Sequence, residues 1–205
     1  AVERAQAAFE LEQALMACAL EDAEAWGGPV VLALAQATDL PWASAIARRD
    51  WSIVGQASGN SGERVNAVDA LLRRHGARSL VFLGTNAPIH SESDYEAVRT
   101  ALETADVVLT PAADGGVTLM AARRPWPDLA TLAWNTRRLA AELAYLCERE
   151  GLKVEKFARR NQVATIDGEL IEECARLVQD LGSDTRAGRK ALVAVARRIL
   201  AARAP

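Results

Sequence analysis

Short apolar runs alternate along the chain with longer segments in which apolar residues recur every three or four positions. A continuous apolar run such as Val30–Leu34 is typical of a strand covered on both faces, whereas the longer period is typical of an amphipathic helix. The predicted strands cover residues 30–34, 51–54, 80–83, 107–109, 117–121 and 152–157. The predicted helices cover residues 2–26, 61–76, a segment opened by a capping box at Ser93 and Glu96, residues 136–150 and two further segments at the C-terminus.

Strands that alternate with helices are joined by crossover connections, which place neighbouring strands parallel. We therefore expect an α/β fold with a mixed, mainly parallel sheet and helices on both faces. No linker divides the sequence, so a single domain is predicted, with a leading helix at 1–27, a core at 29–170 and C-terminal helices at 171–205. Ligands of such sheets bind beyond the carboxyl ends of the strands, so site residues are expected just after Leu34, Leu83 and Leu109.

Composition narrows the class of protein. Half of the 205 residues are hydrophobic and a quarter are charged, which is the balance of an ordinary globular protein. The formal net charge of -3 argues against binding of nucleic acid through a basic face, and no apolar run is long enough to cross a membrane. The isolated Cys18, Cys147 and Cys174 are expected to be buried thiols of a reducing, cytoplasmic protein. His75 and His90 are interpreted as surface or loop residues.

The first candidate site is the glycine-rich segment that opens the helix at residue 61. Its two glycines allow a tight backbone, the N-terminus of the helix favours an anion, and Arg64 adds a cation for a phosphate or carboxylate. A structural helix cap is the alternative interpretation. The segment matches neither the phosphate loop of NTPases nor the dinucleotide-binding glycine pattern. With the preceding Gln56, it reads Gly59-Asn60-Ser61-Gly62-Glu63-Arg64.

Four more segments follow predicted strands or precede predicted helices, where site residues are expected. Each also has a structural alternative, because asparagine, aspartate, threonine and glycine are common in turns and helix caps. The segments are Gly84-Thr85-Asn86-Ala87-Pro88, Asp114-Gly115-Gly116, Trp134-Asn135-Thr136 and Thr165-Ile166-Asp167-Gly168.

In order and spacing, these segments resemble the radical-SAM/selenodomain-associated transferase family of the GT-A nucleotide-diphospho-sugar transferase superfamily. The superfamily also contains molybdenum-cofactor and phospholactate guanylyltransferases. The resemblance extends from Pro29 to Leu170. Residues 59–64 are similar to the family's Gly-x-Leu-Gly-Glu-Arg, 84–88 to its Gly-Ser-Asp-x-Pro, 106–116 to its Asp-Val-Val-Leu-Gly-Pro-x-x-Asp-Gly-Gly, 134–136 to its Trp-Ser-Thr, and 166–167 to the end of its Asp-x-Asp.

The resemblance implies a GT-A fold, a nucleotide or nucleotide-sugar donor, a small-molecule acceptor, and Mg²⁺ or Mn²⁺ as cofactor. It assigns Asp114 as the catalytic residue and Asp167 as a metal ligand. The nucleotide-binding residues that it implies are Gln56, Gly59, Asn60, Gly62, Glu63, Arg64, Thr85 and Asn86. The acceptor-binding residues are Gly115, Gly116, Trp134 and Asn135.

The sequence also departs from the family pattern. Asn86 stands in place of an aspartate, Thr165 in place of the first acid of Asp-x-Asp, and the family's first strand and basic loop have no counterpart here. A neutral amide holds a divalent cation less well than a carboxylate. Two functions therefore stay open: a glycosyl- or nucleotidyltransferase weakened at its metal site, and a non-catalytic relative that binds a nucleotide or a protein.

Overall fold

A computed structural model describes residues 2–163 and 170–202. Helices and strands alternate through the first part of this range, as predicted. The α-helices are α1 (Val2–Ala25), α2 (Leu40–Ile46), α3 (Ser61–Arg74), α4 (Glu92–Ala101), α5 (Leu139–Arg149), α6 (Leu170–Leu181) and α7 (Ala187–Ala201). The strands are β1 (Val31–Leu34), β2 (Ser52–Gly55), β3 (Leu80–Leu83), β4 (Val107–Pro111), β5 (Val117–Ala122) and β6 (Val154–Lys156), and short 3₁₀ turns cover Ala37–Asp39 and Leu129–Thr131.

Three local predictions were wrong. The capping box of α4 joins Ser91 to Asp94, two residues before the predicted pair, and the Ser93 hydroxyl instead contacts that of Ser91. Residues around Pro41, between the predicted strands at 30–34 and 51–54, are assigned to a loop by the sequence pattern but form the helix α2, since proline is compatible with a first helical turn. Helix α5 begins three residues after Thr136, whose hydroxyl donates to the carbonyl of Ala133 and accepts the N–H of Arg138, the residue before the helix.

The strands form a mixed set, as expected, but they fall into two sheets. The larger sheet has the order β3-β5-β4-β6, in which β5 runs antiparallel to both neighbours and β4 pairs parallel with β6. Strands β1 and β2 pair parallel in a separate two-stranded sheet. β3 and β4 run in the same direction, so the loops that follow them emerge at the same end of the larger sheet, where both strands have their carboxyl ends.

Helices cover both faces of the larger sheet. On one face, Val107 and Leu109 pack with Leu143 of α5 in an apolar cluster that includes Leu129. On the other face, Val108 packs with Val98 of α4 and with partly buried residues that include Trp26. The alternation of Val107, Val108 and Leu109 between the faces follows from the two-residue period of a strand. An α/β fold with helices on both faces is thus confirmed.

Helices α1, α6 and α7 share a third apolar cluster, which contains Leu11, Cys18, Cys174 and Leu192. All three cysteines are buried and free, as predicted, and burial raises the pKa of Cys147 to about 12. In the part of the chain that the structure describes, no helix combines the length and apolarity that a membrane crossing requires.

A fully buried arginine joins this helical cluster to the rest of the fold. Arg189 of α7 is 0% exposed and bonds Asp22 of α1 at 2.6 Å and Glu21 at 2.9 Å. It also donates to the carbonyls of Pro88 at 3.0 Å and Cys18 at 2.9 Å. A buried charge is tolerated when it is paired and its remaining hydrogen-bonding groups are satisfied, and these contacts meet both conditions.

His90 lies beside this network, so its interpretation as a surface or loop histidine was wrong with respect to burial. The residue is 1% exposed, and neither ring nitrogen has a hydrogen-bond partner among the described residues. Burial lowers the pKa of His90 to about 4, and the positive charges of Arg160, Arg189 and Arg186 act in the same direction. The nearby carboxylate of Asp94 opposes the shift but does not reverse it. His90 is therefore neutral in the folded protein near pH 7.

We expect acid to destabilise the protein through His90. Because the folded pKa of about 4 lies below the ordinary histidine pKa of 6.5, the unfolded chain binds the proton first as the pH falls. Above pH 6.5, the neutral state of His90 contributes about 3 kcal/mol to the free energy of unfolding, and this contribution is lost as the pH falls from 6.5 to 4. Urea denaturation across this interval should show the loss, and His90→Leu should reduce it. His75→Gln, at the exposed end of α3, serves as the control, and an equal effect there would contradict the assignment.

The small sheet has little of the burial usual for parallel strands. Every residue of β1 is only half-buried, and none of the three apolar clusters includes a residue of β1 or β2. Within the described residues β1 pairs only with β2, and β3 pairs only with β5, so each keeps one open edge. Parallel sheets are ordinarily covered on both faces and at their edges, which makes this the least supported part of the fold.

Hydrogen exchange should reveal this difference. We expect the amides of β1 and β2 to exchange at least about tenfold faster than those of β4 and β5, since local opening requires less buried surface to be exposed. Amide exchange followed by mass spectrometry on peptides from both sheets is the measurement. Equal protection of Leu32 and Leu109 would show that the small sheet is as firmly held as the large one.

Candidate functional site

One short segment, residues 160–163, connects the loops that follow β3 and β4. At one end, the backbone N–H of Arg160 donates to Pro111 at 3.0 Å, and Ala113 donates to the carbonyl of Arg160 at 2.8 Å. At the other end, Val163 donates to the carbonyl of Asn86 at 2.9 Å, and the Asn86 side-chain amide donates back to Val163 at 3.2 Å. Two predicted site loops thus lie on either side of a single extended segment.

Arg160 strengthens this attachment through an ion pair with Asp94 of α4 at 2.5 Å. Burial raises the pKa of Asp94, but hydrogen bonds from Ser91 and from Arg160 outweigh that effect and hold the pKa below its usual range. Asp94 is therefore ionised when it pairs with the guanidinium, and the segment is anchored to the start of α4 as well as to β4.

Asp114 is exposed at the turn between β4 and β5, and both of its carboxylate oxygens accept hydrogen bonds. The backbone N–H of Gly116 donates to Oδ1 at 2.9 Å, and the side-chain amide of Gln162 donates to Oδ2 at 2.8 Å. Two donors give the side chain a defined orientation even though it faces solvent. The structure therefore adds Gln162 to the residues around Asp114.

The turn at Asp114 requires glycine next to it. Gly115 has a φ of 92°, and a Cβ placed there would lie 1.9 Å from the carbonyl oxygen of Arg137. Its own carbonyl accepts a hydrogen bond from Ala140 in the first turn of α5 at 3.0 Å. Any side chain at this position would push the 135–137 segment away from the turn, so the Asp-Gly-Gly sequence carries a steric function as well as a conformational one.

The glycine-rich segment before α3 is a complete helix cap. The Asn60 side chain accepts from the N–H of Glu63 at 3.0 Å, and the Glu63 carboxylate accepts from the N–H of Asn60 at 2.7 Å. Arg64 donates through Nε to the carbonyl of Gly59 at 3.0 Å. A structural cap was one of the two interpretations of this segment, and the structure shows that cap. The N–H groups of Ser61 and Gly62, at the start of the helix, have no intrahelical acceptor.

Residues 129–137 run from this cap to the turn at Asp114. Asn60 donates through its amide to Ala130, and a Cβ on Gly62 would lie 2.0 Å from the carbonyl oxygen of Leu129. That same carbonyl accepts from the indole N–H of Trp134 at 3.0 Å. Asn135 follows in the left-handed region with a φ of 61°. These contacts place Trp134 and Asn135 between the two predicted loops.

Two predicted residues have different surroundings. Gln56 donates to the carbonyl of Ala33 at 2.8 Å and so belongs to the small sheet, and none of the hydrogen bonds among the described residues joins it to Asp114 or Asn86. Thr85 is exposed on the loop after β3. Asp167, the predicted metal ligand, lies outside the described residues.

The described residues do not by themselves fit a divalent cation. Within residues 2–163 and 170–202 no group of three or more histidine, cysteine, aspartate or glutamate residues is placed to hold a metal ion. Asn86 is neutral and uses its amide as a donor to Val163, while both oxygens of Asp114 already accept hydrogen bonds. A hard cation prefers several anionic oxygens, which this arrangement lacks.

Sequence reasoning missed the 160–163 segment altogether. Arg160, Gln162 and Val163 follow the last predicted strand in a polar stretch with no motif, and their contacts join residues 48 to 77 positions apart. The one available signal was position, because this segment also leaves the carboxyl end of a strand, β6, which pairs parallel with β4.

Solved structures of other proteins share this fold. A protein from Desulfovibrio desulfuricans G20, proposed to be a nucleotide-diphospho-sugar transferase, superposes with a TM-score of 0.76 over 91% of this chain and 84% of its own, at 16% identity. Rv0371c from Mycobacterium tuberculosis H37Rv superposes with a TM-score of 0.52 over 82% of this chain and 83% of its own, also at 16% identity. No curated protein sequence matches the chain.

A sequence-family model gives the assignment of the chain itself. The model described as "Uncharacterized protein conserved in bacteria (DUF2064)" matches residues 18–136, which include β1 to β5 and the loops around Asn60, Asn86 and Asp114. The match covers more than half of the sequence, and the fold agrees with that of the solved relatives. The chain therefore belongs to the DUF2064 family and has the fold of a nucleotide-diphospho-sugar transferase.

Proposed function

We propose that this protein is a nucleotide-dependent glycosyl- or nucleotidyltransferase that acts on a small-molecule acceptor. One observation carries the proposal. At the carboxyl ends of β3 and β4, the 160–163 segment contacts both the Asn86 loop and Asp114. In open α/β sheets, ligands bind beyond the carboxyl ends of the strands. The narrower relationship with the radical-SAM/selenodomain-associated transferases, inferred from the sequence, is part of this proposal.

The donor is expected to bind at the start of α3. The N–H groups of Ser61 and Gly62 and the positive end of the helix dipole favour a phosphate there. Arg64 uses only its Nε on the carbonyl of Gly59 among the described contacts, which leaves the rest of its guanidinium for an anion. Gln56 and Thr85 are proposed to contact the nucleotide from the neighbouring strands.

The acceptor is expected on the other side of residues 134–135, next to the turn at Asp114. An exposed carboxylate held by two donors is suited to orient an acceptor hydroxyl and to take its proton as the hydroxyl attacks. Gly115 and Gly116 let the acceptor approach the backbone closely, and Trp134 and Asn135 form the opposite wall. Positioning of the two substrates then supplies much of the rate enhancement.

A second candidate function is nucleotide or protein binding without catalysis. Asn86, which stands where the resembled family has an aspartate, uses its side-chain amide to bind the backbone of Val163. That contact fits a residue retained for structure rather than for metal binding. The transferase and a non-catalytic nucleotide-binding protein share a nucleotide site and differ in the role of Asp114, whereas a protein-binding module requires no nucleotide site.

Nucleotide binding tests what the transferase and the non-catalytic nucleotide-binding function have in common. A thermal-shift screen of nucleoside triphosphates and nucleotide sugars should identify a ligand, and Arg64→Ala should weaken its binding about tenfold by removing a charge-assisted contact to phosphate. Arg74→Ala is the matched control, because Arg74 is exposed at the opposite end of the same helix. Equal weakening by the two variants would place the ligand elsewhere.

Asp114→Asn separates catalysis from binding. The amide keeps the size of the side chain but cannot accept a proton, so transfer should fall at least about 100-fold while the nucleotide Kd changes little. Transfer is measured by product formation from the nucleotide found in the screen, with candidate alcohol and phosphate acceptors. A wild-type protein that binds the nucleotide but transfers to none of them, at any metal concentration, supports the non-catalytic function.

A further inference from the structure

The side-chain amide of Gln162 stands at the place where a cation would approach Asp114. Its Nε2 lies 2.8 Å from Oδ2, and the other oxygen accepts the N–H of Gly116. An N–H donor and a metal ion compete for the same oxygen lone pairs, and an amide nitrogen that carries two hydrogens offers none to a cation. The Asp114 carboxylate thus gains a hydrogen-bond donor, and the NH₂ group of Gln162 that faces it does not ligate metals.

The backbone on both sides of Gln162 is fixed, so this amide is held in place rather than resting there by chance. Two residues before it, Arg160 is bonded to Pro111 and Ala113 and is paired with Asp94. One residue after it, Val163 is buried and exchanges two hydrogen bonds with Asn86. The backbone of the half-buried Gln162 therefore cannot shift away from Asp114 without disturbing one of the two loops.

Asn86, which stands where the resembled family has an aspartate, also donates through its side-chain amide. Its NH₂ points to the carbonyl of Val163, which an ionised aspartate could not do, because a carboxylate only accepts hydrogen bonds. Two neutral amides thus lie along the 160–163 segment: Gln162 contacts Asp114, and Asn86 contacts the next residue, Val163. Each amide donates a hydrogen bond without a metal ion, Asn86 to Val163 and Gln162 to Asp114.

We propose that Gln162 is a positioning residue that holds Asp114 in place of a divalent cation, so that the carboxylate acts without a metal ion bound to it. The action of Asp114 on an acceptor rests on the proposed transferase function, whereas the occupation of the cation position by the amide does not. A donor phosphate in this protein is then neutralised by the start of α3 and by arginine side chains.

Replacing the amide by a carboxylate should convert the place into a metal site. In Gln162→Glu, the new carboxylate lies within contact distance of Asp114, and the pair supplies the anionic oxygens that Mn²⁺ requires. Isothermal titration with Mn²⁺ in the absence of nucleotide should show at least about tenfold tighter binding than in the wild type. Gln179→Glu is the control, because it makes the same chemical change at an exposed position of α6.

A second variant tests the proposal even if repulsion between the two carboxylates prevents Gln162→Glu from folding. Gln162→Ala frees Oδ2 without adding charge, and Mn²⁺ should then broaden the amide NMR signals of Gly115 and Gly116 at concentrations that leave the wild type unchanged. Micromolar binding of Mn²⁺ by the wild type without nucleotide would overturn the proposal. So would a Gln162→Glu protein, folded by circular dichroism, that binds no better than Gln179→Glu, or a Gln162→Ala protein whose signals respond like those of the wild type.

These titrations contain no nucleotide, so their outcome is independent of the transferase assignment. A failed nucleotide screen with a positive Gln162→Glu result would refute the proposed function and keep the role of Gln162 at Asp114. If nucleotide binding and transfer are both found, insensitivity of the wild-type rate to EDTA supports the proposal. A rate that falls to background with EDTA and returns with Mn²⁺ contradicts it.

Discussion

The buried guanidinium of Arg189 is the interaction on which the arrangement of the fold and of the candidate site most depends. It bonds two carboxylates of α1, and through Nε it also holds the carbonyl of Pro88, two residues beyond Asn86. The loop after β3 is thus fixed from one side by Arg189 and from the other by Val163. Removing one partner from such a network leaves a charge buried without compensation, which is more costly than the pair is stabilising. The helical cluster is therefore part of the support for the site, and Val163 of the 160–163 segment belongs to it.

The apolar pattern was sufficient to locate every strand and the helices around the larger sheet. Runs such as Val107–Leu109 are buried on both faces, so their apolar character is continuous and easily recognised. The division into two sheets was not predictable in this way, because strand order depends on contacts between distant residues. The α4 cap was misplaced by two residues because serines at 91 and 93 both precede acids at helical spacing, and only the backbone conformation distinguishes them.

The site was predictable in its loops and not in the segment that joins them. Asp114-Gly115-Gly116 could be identified because an aspartate followed by two glycines is typical of a tight turn, and the close approach of Arg137 supplies the physical reason for the first glycine. Asn60 and Glu63 were identified by similar reasoning, but their polar groups are engaged with each other in a helix cap. Gln162 had no recognisable pattern, since its importance comes from a contact to a residue 48 positions away. Tertiary hydrogen bonds of this kind leave no trace in local sequence periodicity.

Among the described residues, no second strand pairs with β1 or with β3, and these edges have a consequence for how the chain behaves in solution. An unpaired strand edge presents free N–H and C=O groups at a fixed spacing, and that spacing can template an added strand from another polypeptide. Here the exposed side chains of Leu40 and Trp42 on α2 lie next to the half-buried strands of the small sheet, so an added strand would also bury apolar surface. Natural proteins usually protect such edges with charge, proline or an overlying element. Association between copies of the chain should therefore increase with its concentration, because a net charge of only -3 gives little electrostatic repulsion between molecules.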